Sequence, residues 1–302
     1  MFINSICALI TPMHPDGSID EHAFANLIER QIAQGSSAVV INGTTAEAST
    51  LDAKERGRQL SLAKEIIGTR IPIMAGTGTN VTASTINFTK QAKECGVDAC
   101  LVVTPYYNRP TQQGLLAHFR AVAANVDIPI YLYNVPARTG CDLLPNTIVE
   151  LARVSNILGV KEATGDIDRI KFIRAATANR FILLSGDDQS AHKFMQAGGD
   201  GVISVTANLV PKQMQQLMQA LRQQEFELVD NLVKDLAELH QAMGVETNPA
   251  PVKYALHQMR LIENNLRLPL VQLEPIYHQY IINIMLKHGL LASAKALHRE
   301  KS

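Results

Sequence analysis

The chain has 302 residues, 46% hydrophobic and 19% charged, and its 28 basic residues balance 28 acidic ones to a formal charge of zero. That balance excludes a disordered chain, which combines low hydrophobicity with high net charge, and it leaves no basic surplus for nucleic acid. The longest uncharged apolar runs, such as IPIYLY and FILLSG, fall far short of the roughly 18 residues that span a bilayer, so no membrane partner is expected.

In chain order, eight short β-rich runs recur: INSICALI, SAVVING, IPIMAGTG, ACLVVTP, IPIYLYN, ILGVKE, FILLSGD and DGVISVT. Segments such as DEHAFANLIERQIAQG, DAKERGRQLSLAKEIIG and VTASTINFTKQAKECG lie between them, with apolar residues three or four apart and charges on the other side, and read as amphipathic helices. Strands alternating with helices call for parallel strands with right-handed crossovers, and eight such units close a (β/α)8 TIM barrel. An open doubly wound sheet is the alternative, but it advertises a glycine-rich turn after its first strand, where this chain has Thr11-Pro12-Met13. After residue 210 the strands stop. VPKQMQQLMQALRQQEF, LVDNLVKDLAELHQAM, PAPVKYALHQM and VQLEPIYHQYIINIMLKHG are helical in period. The expected organisation is a barrel over 1–210 carrying the active site and a C-terminal helical extension over 211–302 serving packing and subunit contacts.

Cys7, Cys95, Cys100 and Cys141 are too sparse for a disulfide scaffold and form no Cys-x-x-Cys pair, and the nine histidines include no His-Glu-x-x-His, so no metal site is expected. The N-terminus lacks the basic start and the cleavage site of a signal peptide, which makes the cytoplasm the expected compartment.

Catalytic groups of a β/α barrel sit at the C-terminal ends of strands. This filter selects Gly43-Thr44-Thr45, Thr104-Pro105-Tyr106-Tyr107, Tyr133-Asn134 with Arg138, Lys161-Glu162, Gly186-Asp187-Asp188 and Ile203-Ser204. Lys161 is the sharpest signal, because it ends the apolar run Ile157-Leu158-Gly159-Val160. A free lysine near pKa 10.4 is neutral in only about 0.04% of molecules at pH 7. Burial favours the neutral, nucleophilic amine. The same position also reads as an ion-pair partner of Glu162 or Glu47. Arg138, in a loop stiffened by Pro136 and ended by Gly140, suits bidentate capture of a carboxylate, or is an ordinary surface arginine. Tyr107 and Tyr133 offer phenolic hydroxyls for proton transfer, or pack with one satisfied hydroxyl. Thr44 and Thr45 suit a carboxylate grip, or cap a turn. Gly198-Gly199-Asp200-Gly201 precedes the eighth strand and so faces the wrong end for a phosphate site, while Gly76-Thr77-Gly78 lacks the third glycine of the dinucleotide fingerprint.

Six motifs in order carry a resemblance that runs nearly end to end: Gly43-Thr44-Thr45-Ala46-Glu47, Thr104-Pro105-Tyr106-Tyr107, Tyr133 through Gly140, Lys161 through Asp166, Ser185-Gly186-Asp187-Asp188 and Asn248 through Lys253. The chain resembles the pyruvate-dependent Schiff-base aldolases and lyases, and within them the dihydrodipicolinate synthase family. The resemblance implies that Lys161 forms an imine with pyruvate, whose enamine attacks L-aspartate-4-semialdehyde in the first committed step of diaminopimelate and lysine biosynthesis, with no cofactor. It implies a proton relay of Tyr133, Thr44 and Tyr107, the last reaching into a neighbouring subunit of a homotetramer built as a dimer of dimers. It makes Thr45 the pyruvate-carboxylate contact, Arg138 the semialdehyde-carboxylate contact, and Gly186 and Ile203 the pocket lining.

Two departures stand out. Ala46 replaces a usual glycine, which costs strain wherever φ must be positive. In the family's lysine-sensing pocket Ser49, Asn80 and Tyr106 match, but Ala53, Arg56 and Ser84 replace two imidazoles and a carboxylate. Lost negative and added positive charge weaken the hold on a lysine ammonium, so feedback inhibition is expected to be weak or absent. The competing functions are another pyruvate-dependent aldolase, such as an N-acetylneuraminate lyase, a non-catalytic keto-acid-binding barrel, and a metal-dependent aldolase. Arg138 disfavours the first, because it suits a short aldehyde carrying its own carboxylate. Retention of Lys161 and Tyr133 disfavours the second, and the absence of apparent histidine ligands the third.

Overall fold

The computed structural model describes residues 2–177 and 180–291. Eight parallel strands form a closed barrel in chain order: β1 (Asn4–Ala8), β2 (Ala38–Ile41), β3 (Ile73–Gly76), β4 (Ala99–Val103), β5 (Ile130–Asn134), β6 (Ile157–Glu162), β7 (Ile182–Ser185) and β8 (Gly201–Ser204). Each lies within one of the eight apolar runs. The helices after β1 to β4 are α1 (Glu21–Ala33), α2 (Ala53–Ile67), α3 (Thr82–Glu94) and α4 (Gln112–Asn125). The connection after β5 holds a single turn, α5 (Pro136–Thr139), and α6 (Pro145–Leu151). Then come α7 (Ile167–Ala176), α8 (Ala191–Gln196) and α9 (Pro211–Gln223).

Strand alternation divides the apolar residues into two cores. Ile6, Ala8, Val40, Met74, Leu101, Tyr131, Leu184 and Ile203 fill the barrel. Cys7, Val39, Ile41, Val102, Leu132 and Leu183 point outward and pack under the helices. At the bottom, Phe2 meets Tyr131 edge to face with ring centroids 5.5 Å apart. Gly159 makes room for that ring, since a Cβ there would lie 2.7 Å from it.

Caps fix where the helices start. The Asp20 side chain accepts from the Ala23 N–H, and Asp52 and Glu55 form a reciprocal capping box on α2. Helix α9 packs on β1 and beside α8, so the eighth β/α unit runs through Gln223, past the division expected at residue 210.

The extension comprises α10 (Phe226–Ala242), α11 (Ala250–Gln258) and α12 (His278–Lys287), the last preceded by a 3-10 turn at Pro275–Tyr277. The helix expected from Val271 onward therefore begins later than its apolar spacing suggests. Pro275 holds Glu274 extended, at φ −60° and ψ 137°. Residues 292–302 of the expected extension lie outside the described residues. No described helix is long and apolar enough to cross a membrane.

Candidate active site

Lys161 lies near the C-terminal end of β6, is 7% exposed, and pairs in register with Tyr133 of β5. Its amine nitrogen sits 4.3 Å from the centre of the Tyr133 ring. Both carboxylates that could have claimed it are engaged elsewhere. Glu47 binds Lys253 at 2.5 Å. Glu162, next along β6, points to the other side of the sheet, where it accepts from Asn134 Nδ2 at 3.1 Å and the Thr164 N–H at 2.9 Å, with Arg169 at 3.3 Å. Burial raises the Glu162 pKa, with Arg169 and Asn134 opposing the shift. The ion-pair reading of Lys161 is thereby removed, and its amine faces the barrel mouth beside a phenol.

Gly186 follows β7, held by its N–H to the Glu162 carbonyl at 2.8 Å. A Cβ on it would stand 3.0 Å from Lys161 Cε and 2.6 Å from Ala163 Cβ, so the missing side chain is the space the lysine occupies. Ile203 lies buried on β8 in the same interior cluster as Tyr133. Asp187 and Asp188, just beyond, are structural. Asp187 accepts from the Ser190 N–H and hydroxyl, and Asp188 accepts from the N–H groups of Val205 and Thr206 after β8.

Thr44 and Thr45 open a 3-10 turn, Thr44–Ala46, after β2, with Thr44 half-buried and Thr45 buried. The left-handed residues of this loop are Asn42, at φ 57°, and Glu47, at φ 56°, and Ala46 is not among them. The Cβ of Ala46 therefore adds no backbone strain, and its carbonyl is fixed by the Thr11 hydroxyl at 2.8 Å.

Arg138 is exposed on α5, and its guanidinium reaches the Asn248 carbonyl at 3.4 Å. Asn248 Nδ2 in turn donates to Thr45 Oγ1 at 3.0 Å. Asn248 thus joins the two positions expected to hold carboxylates, a role not read from the sequence although its motif was singled out. Tyr107 stands apart from this group. It is 88% exposed, on a turn where its φ is 73° and its N–H bonds the Thr139 carbonyl. One chain therefore does not enclose Tyr107 with the buried Tyr133.

Behind the site, Arg169 makes a bidentate pair with Asp142 at 2.8 and 2.9 Å, and Asp142 accepts from Asn134 Nδ2 at 2.8 Å. This network ties the chain after Arg138 to β5, β6 and α7. Among the described residues, no group of three His, Cys, Asp or Glu side chains is placed to hold a metal ion.

The profile of the Dihydrodipicolinate synthetase family matches residues 1–287. A 4-hydroxy-tetrahydrodipicolinate synthase of Methylococcus capsulatus is 47% identical over 291 residues, covering 96% of this chain and 100% of the relative. The Pseudomonas aeruginosa protein of that name is 44% identical over 292 residues, covering 97% and 100%. Among solved structures, the chloride-inhibited dihydrodipicolinate synthase of Acinetobacter baumannii, complexed with pyruvate, superimposes with a TM-score of 0.95 at 43% identity, covering 96% of this chain and 100% of that one. A monomeric dihydrodipicolinate synthase variant superimposes at 0.94 with 39% identity, covering 96% and 98%. The chain belongs to the dihydrodipicolinate synthetase family.

Proposed function

We infer that the chain is a lyase that condenses pyruvate with L-aspartate-4-semialdehyde to 4-hydroxy-tetrahydrodipicolinate, the first committed step of diaminopimelate and lysine biosynthesis. The observation that carries this reading is the Lys161 amine against Tyr133, with Gly186 clearing its space. The amine attacks C2 of pyruvate, and water leaves as the imine forms. A protonated imine withdraws electrons better than a ketone, so a C3 proton departs and an enamine results. C3 then bonds the aldehyde carbon of the second substrate, whose oxygen takes up a proton. The amino group of that substrate attacks C2, closing the ring and releasing Lys161.

Tyr133, whose ring lies against the lysine, is the proton donor and acceptor, relayed by Thr44 and by Tyr107 of a neighbouring copy. Thr45 takes the pyruvate carboxylate, Arg138 the semialdehyde carboxylate, and Gly186 and Ile203 line the pocket. The exposure of Tyr107, alongside exposed Tyr106 and Val81, supports a homotetramer in which one copy completes the site of the next. Free Cys7, Cys95, Cys100 and Cys141 and the biosynthetic chemistry support a cytoplasmic enzyme.

Borohydride added with pyruvate, followed by peptide mass spectrometry, tests the reading. The expected result is a reduced pyruvyl adduct on the peptide carrying Lys161 and on no other. No adduct, or an adduct elsewhere, sinks it.

A further inference from the structure

Glu47 and Lys253 form an ion pair in which neither side chain exposes any surface. Their partners come from distant parts of the chain: Glu47 sits between the 3-10 turns Thr44–Ala46 and Ala48–Thr50, and Lys253 is on α11 of the extension. Lys253 Nζ bonds Glu47 Oε1 at 2.5 Å, and the Arg267 N–H bonds Oε2 at 3.0 Å, so both carboxylate oxygens are held. Stability alone does not call for such a pair, because well-packed apolar residues of similar volume commonly do as well or better in a core. What apolar residues lack is direction. A carboxylate held at both oxygens fixes the orientation of a residue in left-handed conformation, and with it the turn that presents Thr44 and Thr45.

The other end of the pair has the same reach. Lys253 belongs to the segment that begins at Asn248, whose side chain grips Thr45 and whose carbonyl accepts from Arg138. One segment of the extension therefore contacts the loop after β2 through Glu47 and Thr45, and the loop after β5 through Arg138. We propose that Glu47 and Lys253 are positioning residues that set the separation between the two carboxylate-binding positions, so that the keto acid and the second substrate meet at the right distance. This rests on the reading of Thr45 and Arg138 given above. A misplacement of about 1 Å at such positions is enough to cost about a hundredfold in rate, so a partial loosening is expected to show as about a tenfold effect.

The test compares the unaltered enzyme with Glu47→Gln and with the apolar double variant Glu47→Leu/Lys253→Met. The double variant separates positioning from stability, because it leaves no buried charge unpaired. It is expected to fold with an unchanged melting temperature or a higher one, to lower kcat about tenfold, and to keep KM for pyruvate and for the semialdehyde within about twofold. Borohydride trapping at saturating pyruvate still marks its Lys161. Unchanged kcat overturns the proposal, as does a change confined to KM. If neither variant can be obtained folded, the pair is a folding element and the proposal is likewise overturned. If the unaltered enzyme gives no pyruvate adduct, the functional reading itself has failed, which is a separate and distinguishable result.

Discussion

Lys161 and Tyr133 are register partners on β6 and β5, and the lysine nitrogen lies 4.3 Å from the centre of the phenol ring. The ring walls one side of the amine, and the hydroxyl is the group proposed to transfer protons. Tyr133→Phe separates these roles, since it keeps the wall and removes the hydroxyl. Turnover is expected to fall by about 10²- to 10⁴-fold, the usual contribution of a positioned acid or base. Borohydride with pyruvate should still trap the imine on Lys161. Steady-state kinetics beside trapping checks both halves, and full turnover in Tyr133→Phe removes Tyr133 from the mechanism.

Gly186 supplies the space for the lysine. Placing a Cβ 3.0 Å from Lys161 Cε and 2.6 Å from Ala163 Cβ forces one of them to move. Gly186→Ala is expected to slow imine formation about a hundredfold, as the amine leaves its attack position. It should also lose about 1 to 3 kcal/mol of stability to overpacking. Stopped-flow trapping and thermal denaturation measure these, and a variant that traps pyruvate at the normal rate contradicts the packing argument.

The strands were legible because a barrel buries both faces of each one, so each appears as an unbroken apolar run, and a lysine inside one stands out. The partner of Glu47 was not legible. Lys161 and Lys253 are both competent partners for a carboxylate, and only the fold shows that the pair forms 206 residues apart, between Glu47 and Lys253. Asn248 was missed for the same reason. Its contact with Thr45 spans 203 residues, and the helical period that follows it signals packing alone. The start of the last helix was misplaced because apolar spacing does not register what Pro275 does to Glu274.

Arg56 governs the expected response to lysine. It is 8% exposed, lies 4.4 Å from the centre of the Phe88 ring, and donates to the carbonyls of Ala48 and Leu51. Burial lowers its pKa, with Tyr106 opposing. A guanidinium held in this way repels an incoming ammonium, and half-buried Ser84 supplies no carboxylate to offset it. The Asn80 carbonyl is engaged by Asn108 Nδ2 at 2.8 Å. L-lysine is therefore expected to leave turnover unchanged through the low millimolar range, whereas Arg56→His/Ser84→Glu should become sensitive. Inhibition of the unaltered enzyme at micromolar lysine refutes this.

His118 on α4 sets an acid limit on stability. It is 5% exposed, its Nδ1 shares a hydrogen bond of 2.9 Å with Thr82 Oγ1, and its Nε2 is buried without a partner. Burial lowers its pKa from 6.5 to about 4. The unfolded chain therefore takes up a proton near pH 6.5 that the folded chain refuses until about pH 4. The sign follows from that difference: the contribution is fully present above pH 6.5 and is lost as the pH falls toward 4, by about 3 kcal/mol in all. His240, also buried and lowered by burial, acts in the same direction. Urea denaturation at pH 7.5, 6.5, 5.5 and 4.5 should show His118→Gln less stable than the unaltered protein at the top of this range, and losing less stability on acidification. Identical pH slopes for the two proteins would remove His118 as the cause.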